Sequence, residues 1–282
     1  AWLNSNPDFL KGLHVIARCD PLQKFRIVSA LKKARELVAV TGDGVNDVPA
    51  LKAADIGIAM GERGSQSAKE VASIVLADDN FRTIVNAIKE GRQLFRNLEL
   101  SFKYLFLIHM PFILTAALIP LFGYPLLYLP VHIVWLELII HPSALFAFQQ
   151  LAPVTDQPTY SRKVFFSRRD QIAILLVGFA MTAVLGFSFV SGLNRGLGVA
   201  HARTIAMVVL TFWSAGIVTV FSKFKTQASI WITAGTVVST VILVQIQSFA
   251  NILKLTPLHL IDGITVGAWV LVSLILLMTV RK

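Results

Sequence analysis

Residues 41–61 read TGDGVNDVPALKAADIGIAMG, and they open with a glycine-rich acidic loop in which Asp43 and Asp47 stand four positions apart. An apolar segment that predicts a strand precedes the loop, and a predicted helix follows it. In a parallel sheet, a loop at the carboxyl end of a strand is where ligands bind. Two carboxylates beside glycines suit a hydrated Mg²⁺ next to a phosphoryl group. A plain acidic turn without a ligand is the alternative for Gly-Asp-Gly taken alone.

Short strands and helices alternate on both sides of this loop. The strands are predicted at residues 13–17, 37–40, 56–59 and 73–76. The helices are predicted at residues 21–35, from about Pro49, and at 67–72. This alternation predicts a parallel sheet covered on both faces, which is an α/β fold. From Phe81 a long helical pattern runs through Arg96 toward the first strongly apolar segment.

The second part of the chain consists of long apolar segments. With 55% hydrophobic and 15% charged residues, the 282-residue chain does not fit a wholly soluble protein. Each apolar segment is long enough to cross a hydrocarbon core of about 30 Å as a helix. The six predicted spans are about 100–122, 126–150, 171–191, 203–222, 229–249 and 262–280.

The distribution of basic residues predicts the orientation of these spans. A net charge of +10 raises the question of nucleic-acid binding, but no basic stripe with interleaved aromatic residues supports it. Six is an even number, so the soluble part and the C-terminus fall on one side, which the positive-inside bias identifies as cytoplasmic. The basic residues on that side are Arg162, Lys163, Arg168, Arg169, Lys223, Lys225, Arg281 and Lys282. Those on the other side are Arg195, Arg203 and Lys254. The expected location is the cell membrane.

Two further features limit the interpretation of the chain. The single cysteine, Cys19, excludes an internal disulfide and a metal site made of cysteines alone. The chain begins at Ala1 within what reads as a folded domain, so we expect it to be a fragment.

The stretch 41–61 closely resembles the hinge motif of P-type cation-transporting ATPases. The segments ARCDPLQK at 17–24 and VLADDNF at 75–81 resemble the flanking parts of the same family. The resemblance implies a haloacid dehalogenase-like α/β fold, here the C-terminal part of a phosphorylation domain with a stalk helix over residues 1–99. An all-α bundle of six membrane helices is then expected over residues 100–282.

The resemblance also implies roles for residues of the loop. Asp43 is expected to bind Mg²⁺, and Asp47 to help hold the metal and the phosphate. Asn46 is expected to support the phosphate site, and Lys24 to neutralise phosphoryl charge, as phosphoryl transfer requires. Thr41, Gly42 and Gly44 complete the expected phosphate and Mg²⁺ loop. Three other acidic residues are interpreted as loop and cap residues: Asp55, Asp78 and Asp79.

The family's nucleophile is an aspartate followed by Lys-Thr-Gly, and this string does not occur in the chain. Covalent catalysis needs a nucleophile, so we expect the chain to be inactive by itself. ATP is expected to bind a nucleotide domain outside this chain. The expected partners are therefore the N-terminal part of the same pump, the transported cation and the lipid bilayer.

Ionisable residues are few within the predicted spans. Away from the ends of the spans they are His109 in the first span, and His132, Glu137 and His141 in the second. Charged groups inside a bilayer are costly and usually functional, and residues four apart share a helix face. We therefore expect His109, Glu137 and His141 to line the ion path. A buried hydrogen-bonded glutamate with two packing histidines is the alternative.

Two prolines lie beside these candidates. Pro111 follows His109 by two positions, and Pro142 follows His141 directly. A proline removes a backbone donor, so local unwinding at either position is expected to free carbonyl groups as ligands.

The resemblance indicates which branches of the family the chain is similar to, but it does not identify the transported ion. Six spans after the hinge motif are typical of the calcium, sodium/potassium and proton branches, whereas heavy-metal pumps have two. In an ungapped alignment, a calcium pump's asparagine and glutamate fall on His109 and Phe112, and its asparagine, threonine and aspartate on Glu137, Ile140 and His141. Calcium prefers six to eight oxygen ligands. Imidazole with one carboxylate suits a transition metal or protons better.

Two other functions are compatible with parts of the sequence. One is a non-catalytic truncated homologue that regulates a complete pump. The other is a membrane-anchored phosphatase of the haloacid dehalogenase type, which shares the Gly-Asp-Gly loop but needs far fewer spans.

Overall fold

In the computed structural model, residues 13–151 and 165–280 are described. The basic residues Arg162, Lys163, Arg281 and Lys282 lie outside these ranges. The chain forms two compact units, Ala1–Glu90 and Gly91–Lys282. Each unit is described by itself.

The first unit is a small α/β arrangement around a parallel sheet. Its helices are α1 (Pro21–Lys33), α2 (Val48–Ala53) and α3 (Gln66–Val71), and a 3₁₀ turn covers Val45–Asp47. Its strands are β1 (Ala39–Gly42), β2 (Ile56–Met60) and β3 (Ile74–Leu76). They lie in the order β1-β2-β3, and both pairs are parallel.

Helix α1 begins where local chemistry predicts. Asp20 Oδ1 accepts from the backbone N–H of Gln23 at 2.7 Å, and Gln23 Oε1 accepts from the Asp20 N–H at 3.0 Å. Pro21, with no N–H to lose, occupies the first turn. The helix ends at Lys33, two residues before the predicted end.

Apolar side chains of β2 point alternately to the two faces of the sheet, and both faces are buried. Ala59 packs with Leu51 of α2 and Ala68 of α3. Its neighbours Ile58 and Met60 face the other way and pack with Leu76 and with Ile84, near the start of the long helix at Phe81. The period of two in the strand therefore explains the two apolar layers.

The predicted strand at residues 13–17 is wrong. The structure shows no strand there, and Leu13, Val15 and Ile16 are exposed by 42%, 81% and 45%. A run of apolar residues becomes a strand only where a neighbouring edge accepts its hydrogen bonds, and no such pairing occurs here among the described residues. The strand predicted at 37–40 is displaced, because β1 covers Ala39–Gly42 and includes the start of the loop.

The second unit is helical. The helix α4 (Phe81–Leu121) enters it without a break, as the helical pattern from Phe81 indicated. The next elements are α5 (Pro130–Trp135), a π-helical turn (Leu136–Ile140) and α6 (His141–Gln149), which together form one span. The remaining helices are α7 (Arg168–Asn194), α8 (Val199–Ser222), α9 (Gln227–Gln245), α10 (Gln247–Ile252) and α11 (Leu260–Val280).

Six helices of the described chain are long and apolar enough to cross a membrane. The boundaries of several spans differ from those predicted; the third helix covers Arg168–Asn194 and the fourth begins at Val199. The second begins at Pro130 rather than at 126, and the helix of the fifth ends at Gln245, where the chain bends before α10. Helix α8 is buried along most of its length, and its Trp213 is fully buried. It is therefore the centre of the apolar core of this unit.

Candidate functional site

Lys24 and Asp47 meet at the loop that follows β1. Lys24 Nζ lies 2.7 Å from Asp47 Oδ1, although the two residues are 23 positions apart. Asp47 Oδ2 accepts from the backbone N–H groups of Asp43 and Gly44, each at 3.3 Å. A lysine, a carboxylate and two backbone amides thus converge at the carboxyl end of a parallel strand.

Gly42 makes this arrangement sterically feasible. A Cβ atom at Gly42 would lie 2.4 Å from Cβ of Asp47 and 2.9 Å from its Cγ, closer than real atoms approach. The Asp47 side chain therefore occupies the space that any larger residue at position 42 would need. Gly44 differs, because a Cβ there would find nothing nearer than 3.9 Å.

Asp43 presents its side chain to solvent. The residue is exposed, and its carboxylate makes no hydrogen bond or ion pair with any part of the chain that the structure describes. Its backbone carbonyl accepts from Ser65 N–H at 2.7 Å, which fixes the loop to the residue that caps α3. The backbone is held while the carboxylate stays accessible, as a metal ligand requires.

The two remaining predicted polar residues of the loop are also exposed. Asn46 lies in the 3₁₀ turn beside Asp47, and Thr41 lies in β1. The structure thus places all the predicted loop residues on one short segment, with Lys24 alone brought in from α1.

The ion pair shifts the pKa of both partners. The hydrogen bond to Asp47 raises the pKa of Lys24 above its ordinary value, against the opposing effect of burial. For Asp47 partial burial raises the pKa, but the bonds from Lys24 and the amides of Gly44 and Asp43 outweigh it, so the pKa falls below its ordinary value. Both groups are therefore charged at neutral pH.

Three other acidic residues are loop and cap residues, as predicted. Asp79 accepts from the N–H groups of Gly61, Glu62 and Arg63 at 2.6–3.1 Å. Asp78 accepts from Asn80 N–H and Thr83 Oγ1–H, and Asp55 accepts from Val38 N–H. Their carboxylates stabilise loops of the first unit.

In the second unit, His109 of α4 and Glu137 and His141 of the next span come together. His109 Nε2 lies 3.1 Å from Glu137 Oε1, and His141 Nδ1 lies 3.3 Å from Glu137 Oε2. The two imidazole rings have centroids 4.9 Å apart. One ligand atom from each residue fits within a mutual separation of 4.8 Å. Glu137 lies in the π-helical turn, a feature frequent at functional sites.

Burial differs sharply within this cluster, which we call the His-Glu-His cluster. The side chain of His141 is 3% exposed, that of His109 29% and that of Glu137 42%. Neither ring nitrogen of His141 has a hydrogen-bond partner among the described residues. A carboxylate and an unsatisfied buried imidazole among apolar helices are expensive to keep, which favours a functional role.

The predicted unwinding at Pro111 does not occur. Helix α4 continues through Pro111 to Leu121. The carbonyl of Leu107, which a residue other than proline at position 111 would satisfy, accepts instead from Trp213 Nε1–H at 3.2 Å. It is therefore not free to bind an ion. At Pro142 the helix is locally widened into the π-helical turn rather than unwound.

His132, the third histidine of these two spans, has a structural role. Its Nδ1 accepts from Leu129 N–H at 3.1 Å, and its Nε2–H donates to the carbonyl of Leu253 at 2.6 Å. Both nitrogens are occupied by the backbone. His132 thus caps α5 and connects it to the segment after α10.

Sequence reasoning missed one polar cluster in the helices. Lys103 Nζ lies 2.9 Å from Glu99 Oε1 and 2.8 Å from Asp170 Oδ1, and so connects α4 to α7. The spacing of Glu99 and Lys103 was visible in the sequence. Asp170 also belongs to a capping box with Ser167 at the start of α7. The local sequence therefore explains Asp170 as a helix cap and does not indicate its ion pair with Lys103, which is 67 positions away.

Comparisons with known proteins match both units. Residues 125–282 match the family described as cation transporting ATPase, C-terminus, and residues 25–88 match haloacid dehalogenase-like hydrolases. The second match confirms the predicted α/β fold class. The first places the membrane-length helices with ATPases rather than with anchored phosphatases.

Similar proteins include pumps with different stated ions. The chain is 33% identical over 275 residues to a calcium-transporting ATPase of Bacillus subtilis, covering 93% of this chain and 30% of that protein. It is 35% identical over 221 residues to calcium-transporting ATPase 1 of Bacillus cereus, covering 71% of this chain and 25% of that protein. It is 56% identical over 92 residues, covering 32% of the chain and 9% of that protein, to a sodium/potassium exporting P-type ATPase of Schizosaccharomyces pombe. The chain spans less than a third of the length of these relatives.

Proposed function

The chain belongs to the cation-transporting ATPase family, and on this premise we propose that it is part of an ATP-driven cation pump with an aspartyl-phosphate intermediate. In this pump the chain supplies the Mg²⁺ and phosphate loop and part of the ion path. The observation that carries the proposal is the convergence of Lys24, Asp47 and the exposed Asp43 carboxylate at the end of β1.

The loop residues fit a Mg²⁺ ion and a phosphoryl group. Asp43 offers an accessible carboxylate, and Asp47 keeps its charge because its pKa is lowered. Mg²⁺ favours one or two carboxylates with waters and phosphate oxygens, and when bound it neutralises phosphoryl charge. Lys24 holds Asp47 in place and adds positive charge at the same point, and Asn46 offers an amide beside it.

The catalytic cycle needs parts that this chain does not supply. The aspartate nucleophile and the nucleotide-binding domain are assigned to the rest of a longer pump, of which this chain spans about a third when measured against its Bacillus subtilis relative. Residues 1–99 form the C-terminal part of the phosphorylation domain with the stalk helix, and residues 100–282 form six transmembrane helices.

The charge distribution supports an orientation. Arg168 and Arg169 stand at the start of α7, and Lys223 and Lys225 directly after α8. With residues 1–99 and the C-terminus in the cytoplasm, these residues lie on the cytoplasmic side, as the positive-inside bias favours. The membrane is the cell membrane in this proposal.

The transported cation passes the His-Glu-His cluster. A carboxylate within a membrane-length span, with two imidazoles in contact, forms a polar site between two helices that are long and apolar enough to cross a membrane. Ionisable groups at such depth usually mark ion pathways. The names of the relatives state calcium for some and sodium/potassium for another, so they do not fix the ion.

The proposal is tested by ATPase activity of the complete pump in lipid vesicles. Ca²⁺, Mn²⁺, Zn²⁺, Mg²⁺, Na⁺, K⁺ and pH are varied, and the acid-stable phosphoenzyme is measured. We expect one cation to stimulate activity, and Asp43→Ala to abolish it. The exposed Glu62, which is outside the loop, provides the control as Glu62→Gln.

A negative result in this assay is informative. If no cation stimulates ATP hydrolysis and no phosphoenzyme forms in a folded, full-length protein, the pump assignment fails. The protein is then a non-catalytic homologue, for example one that regulates a complete pump.

A further inference from the structure

We infer that the His-Glu-His cluster binds a divalent transition metal ion of the nitrogen-preferring kind, represented by Zn²⁺, as the cargo of the pump. This inference rests on the proposed function for the transport of the bound ion, but binding at the cluster is a separate property of this chain.

The tautomer of His109 is fixed by its backbone contact. His109 Nδ1 lies 3.0 Å from the carbonyl oxygen of Leu105. A carbonyl only accepts, so Nδ1 carries the hydrogen, and in a neutral ring Nε2 is left with a lone pair. That lone pair lies 3.1 Å from Glu137 Oε1, which is also an acceptor. Two acceptors at this distance repel each other unless a cation lies between them.

His141 adds a second nitrogen without a partner. Its side chain is 3% exposed, and its Nδ1 lies 3.3 Å from Glu137 Oε2 without hydrogen-bond geometry. Within the described residues neither of its nitrogens forms a hydrogen bond. Buried polar atoms without partners are rare in folded proteins and often mark an ion. A metal ion bound by Nδ1 would give that nitrogen a partner, whereas Nε2 would still have none among the described residues.

Two of the separations within the cluster are close to those around a tetrahedral ion. Zn–N and Zn–O bonds of about 2.0–2.2 Å imply neighbouring ligand atoms about 3.3–3.5 Å apart in a tetrahedron. The two observed nitrogen–oxygen distances are 3.1 Å, from His109 Nε2 to Glu137 Oε1, and 3.3 Å, from His141 Nδ1 to Glu137 Oε2. One ligand atom from each of the three residues fits within 4.8 Å, so a bound ion would draw the set closer together. Ca²⁺ instead takes six to eight oxygen ligands. The cluster offers one carboxylate and two imidazoles, a set that favours zinc and related transition metals over calcium.

The other histidines of the same unit provide an internal contrast. A metal-binding histidine typically donates its other N–H to a backbone carbonyl or carboxylate, as His109 does to Leu105. His132 uses both nitrogens in backbone hydrogen bonds. His201 uses Nε2 with Asp262 at 3.0 Å and Nδ1 with Thr256 Oγ1 at 3.3 Å. Both are therefore structural, whereas His109 and His141 each direct one ring nitrogen at Glu137.

A proton is the competing cargo, because a protonated His109 also separates the two acceptors. Direct metal binding distinguishes the two cases. The 282-residue chain in lipid nanodiscs is titrated with Zn²⁺ alone against a competing chelator, and with Co²⁺ alone followed by visible absorption. We expect one tight site per chain and the intense Co²⁺ bands of a four- or five-coordinate site.

Variants identify the ligands. Glu137→Gln, His109→Gln and His141→Gln should each weaken Zn²⁺ binding about 100-fold or more, since loss of an outer partner alone costs about 10–100-fold. Glu137 is the sharpest probe, because its half-exposed side chain leaves the packing unchanged when an amide replaces the carboxylate. His259→Gln is the matched control, because His259 is exposed. Thermal unfolding without metal verifies that each variant is folded.

The outcomes separate the inference from the proposed function. If the wild-type chain binds neither Zn²⁺ nor Co²⁺ more tightly than folded Glu137→Gln, the metal inference is wrong. Should the pump then respond to pH or to Ca²⁺, those ions are the cargo and the pump assignment stands. If Zn²⁺ binds and the complete protein forms no phosphoenzyme, the site stands and the pump assignment falls.

Discussion

Trp213 donates its indole N–H to the backbone carbonyl of Leu107 across 3.2 Å. This carbonyl belongs to the turn that Pro111 interrupts, because proline has no N–H to donate to the residue four positions before it. Trp213 is fully buried in α8, at the centre of the helical core. One tryptophan from a distant helix therefore keeps α4 continuous beside His109 of the His-Glu-His cluster.

This relationship predicts a double-mutant cycle. Trp213→Phe should destabilise the chain by at least about 1–3 kcal/mol, because the buried carbonyl of Leu107 loses its donor. In a Pro111→Ala background the new N–H at position 111 satisfies that carbonyl, so the same change should cost less. Thermal or denaturant unfolding of the four proteins in nanodiscs measures the coupling. If the losses of stability of the two single variants simply add in the double variant, the N–H at position 111 does not replace Trp213 as the donor to Leu107, and the prediction is wrong.

Gly42 and Gly44 should respond differently to alanine. Gly42→Ala forces Asp47 to move, since the added Cβ would lie 2.4 Å from Cβ of Asp47. Overpacking of this kind costs about 1–3 kcal/mol. Gly44→Ala has room and an ordinary backbone, with φ at −113°, so it should change stability by less than about 0.5 kcal/mol. Comparable melting temperatures for both variants would argue against the close packing of Asp47 over Gly42.

The Lys24–Asp47 pair should stabilise the fold over a wide pH range. Asp47 has a lowered pKa, so its contribution is complete above its ordinary pKa of 3.8 and is lost as pH falls through the lowered value. Lys24 has a raised pKa, so its contribution is complete below its ordinary pKa of 10.5 and is lost as pH rises through the raised value.

Lys24→Met should therefore lower stability by up to about 1 kcal/mol, since the lysine is partly exposed. The loss should be constant between the two ordinary pKa values and should shrink at more extreme pH. Melting temperature against pH, for wild type and variant in the full chain, provides the measurement. Lys52→Met, at an exposed lysine of α2, is the control. If the stability lost in Lys24→Met grows at acidic pH, the Lys24–Asp47 ion pair is not the cause of that loss.

Glu137→Gln should separate the two directions of phosphorylation in the complete pump. Cation-stimulated phosphorylation from ATP should fall at least about tenfold, because the site loses its only carboxylate and about 1.4 kcal/mol suffices for that change. Phosphorylation from inorganic phosphate should persist, because it uses the loop around Asp43 and Asp47. Both reactions are followed by acid-stable phosphoenzyme. Unchanged cation dependence would remove Glu137 from the ion path.

Local sequence predicted the presence of helices better than the positions of their ends and the pairing of strands. The length of the apolar segments indicated all six membrane-length helices of the described chain. Their ends were less predictable, because helix termination at Gln245 and the π-helical turn at Leu136–Ile140 depend on packing. The failed strand at residues 13–17 shows the same limit, since an apolar run does not specify its pairing partner.

Residue type and local spacing predicted three strands with the helices between them, the acidic loop that carries Asp43 and Asp47, and the three ionisable residues of the His-Glu-His cluster. These features depend on spacing within a few positions, which backbone geometry translates directly into local structure. The contacts between Lys24 and Asp47 and between Trp213 and Leu107, the structural role of His132, and the lack of a hydrogen-bond partner for His141 within the described residues came from the tertiary structure alone. Contacts between residues tens of positions apart arise from the joint packing of whole elements, which a local pattern does not contain.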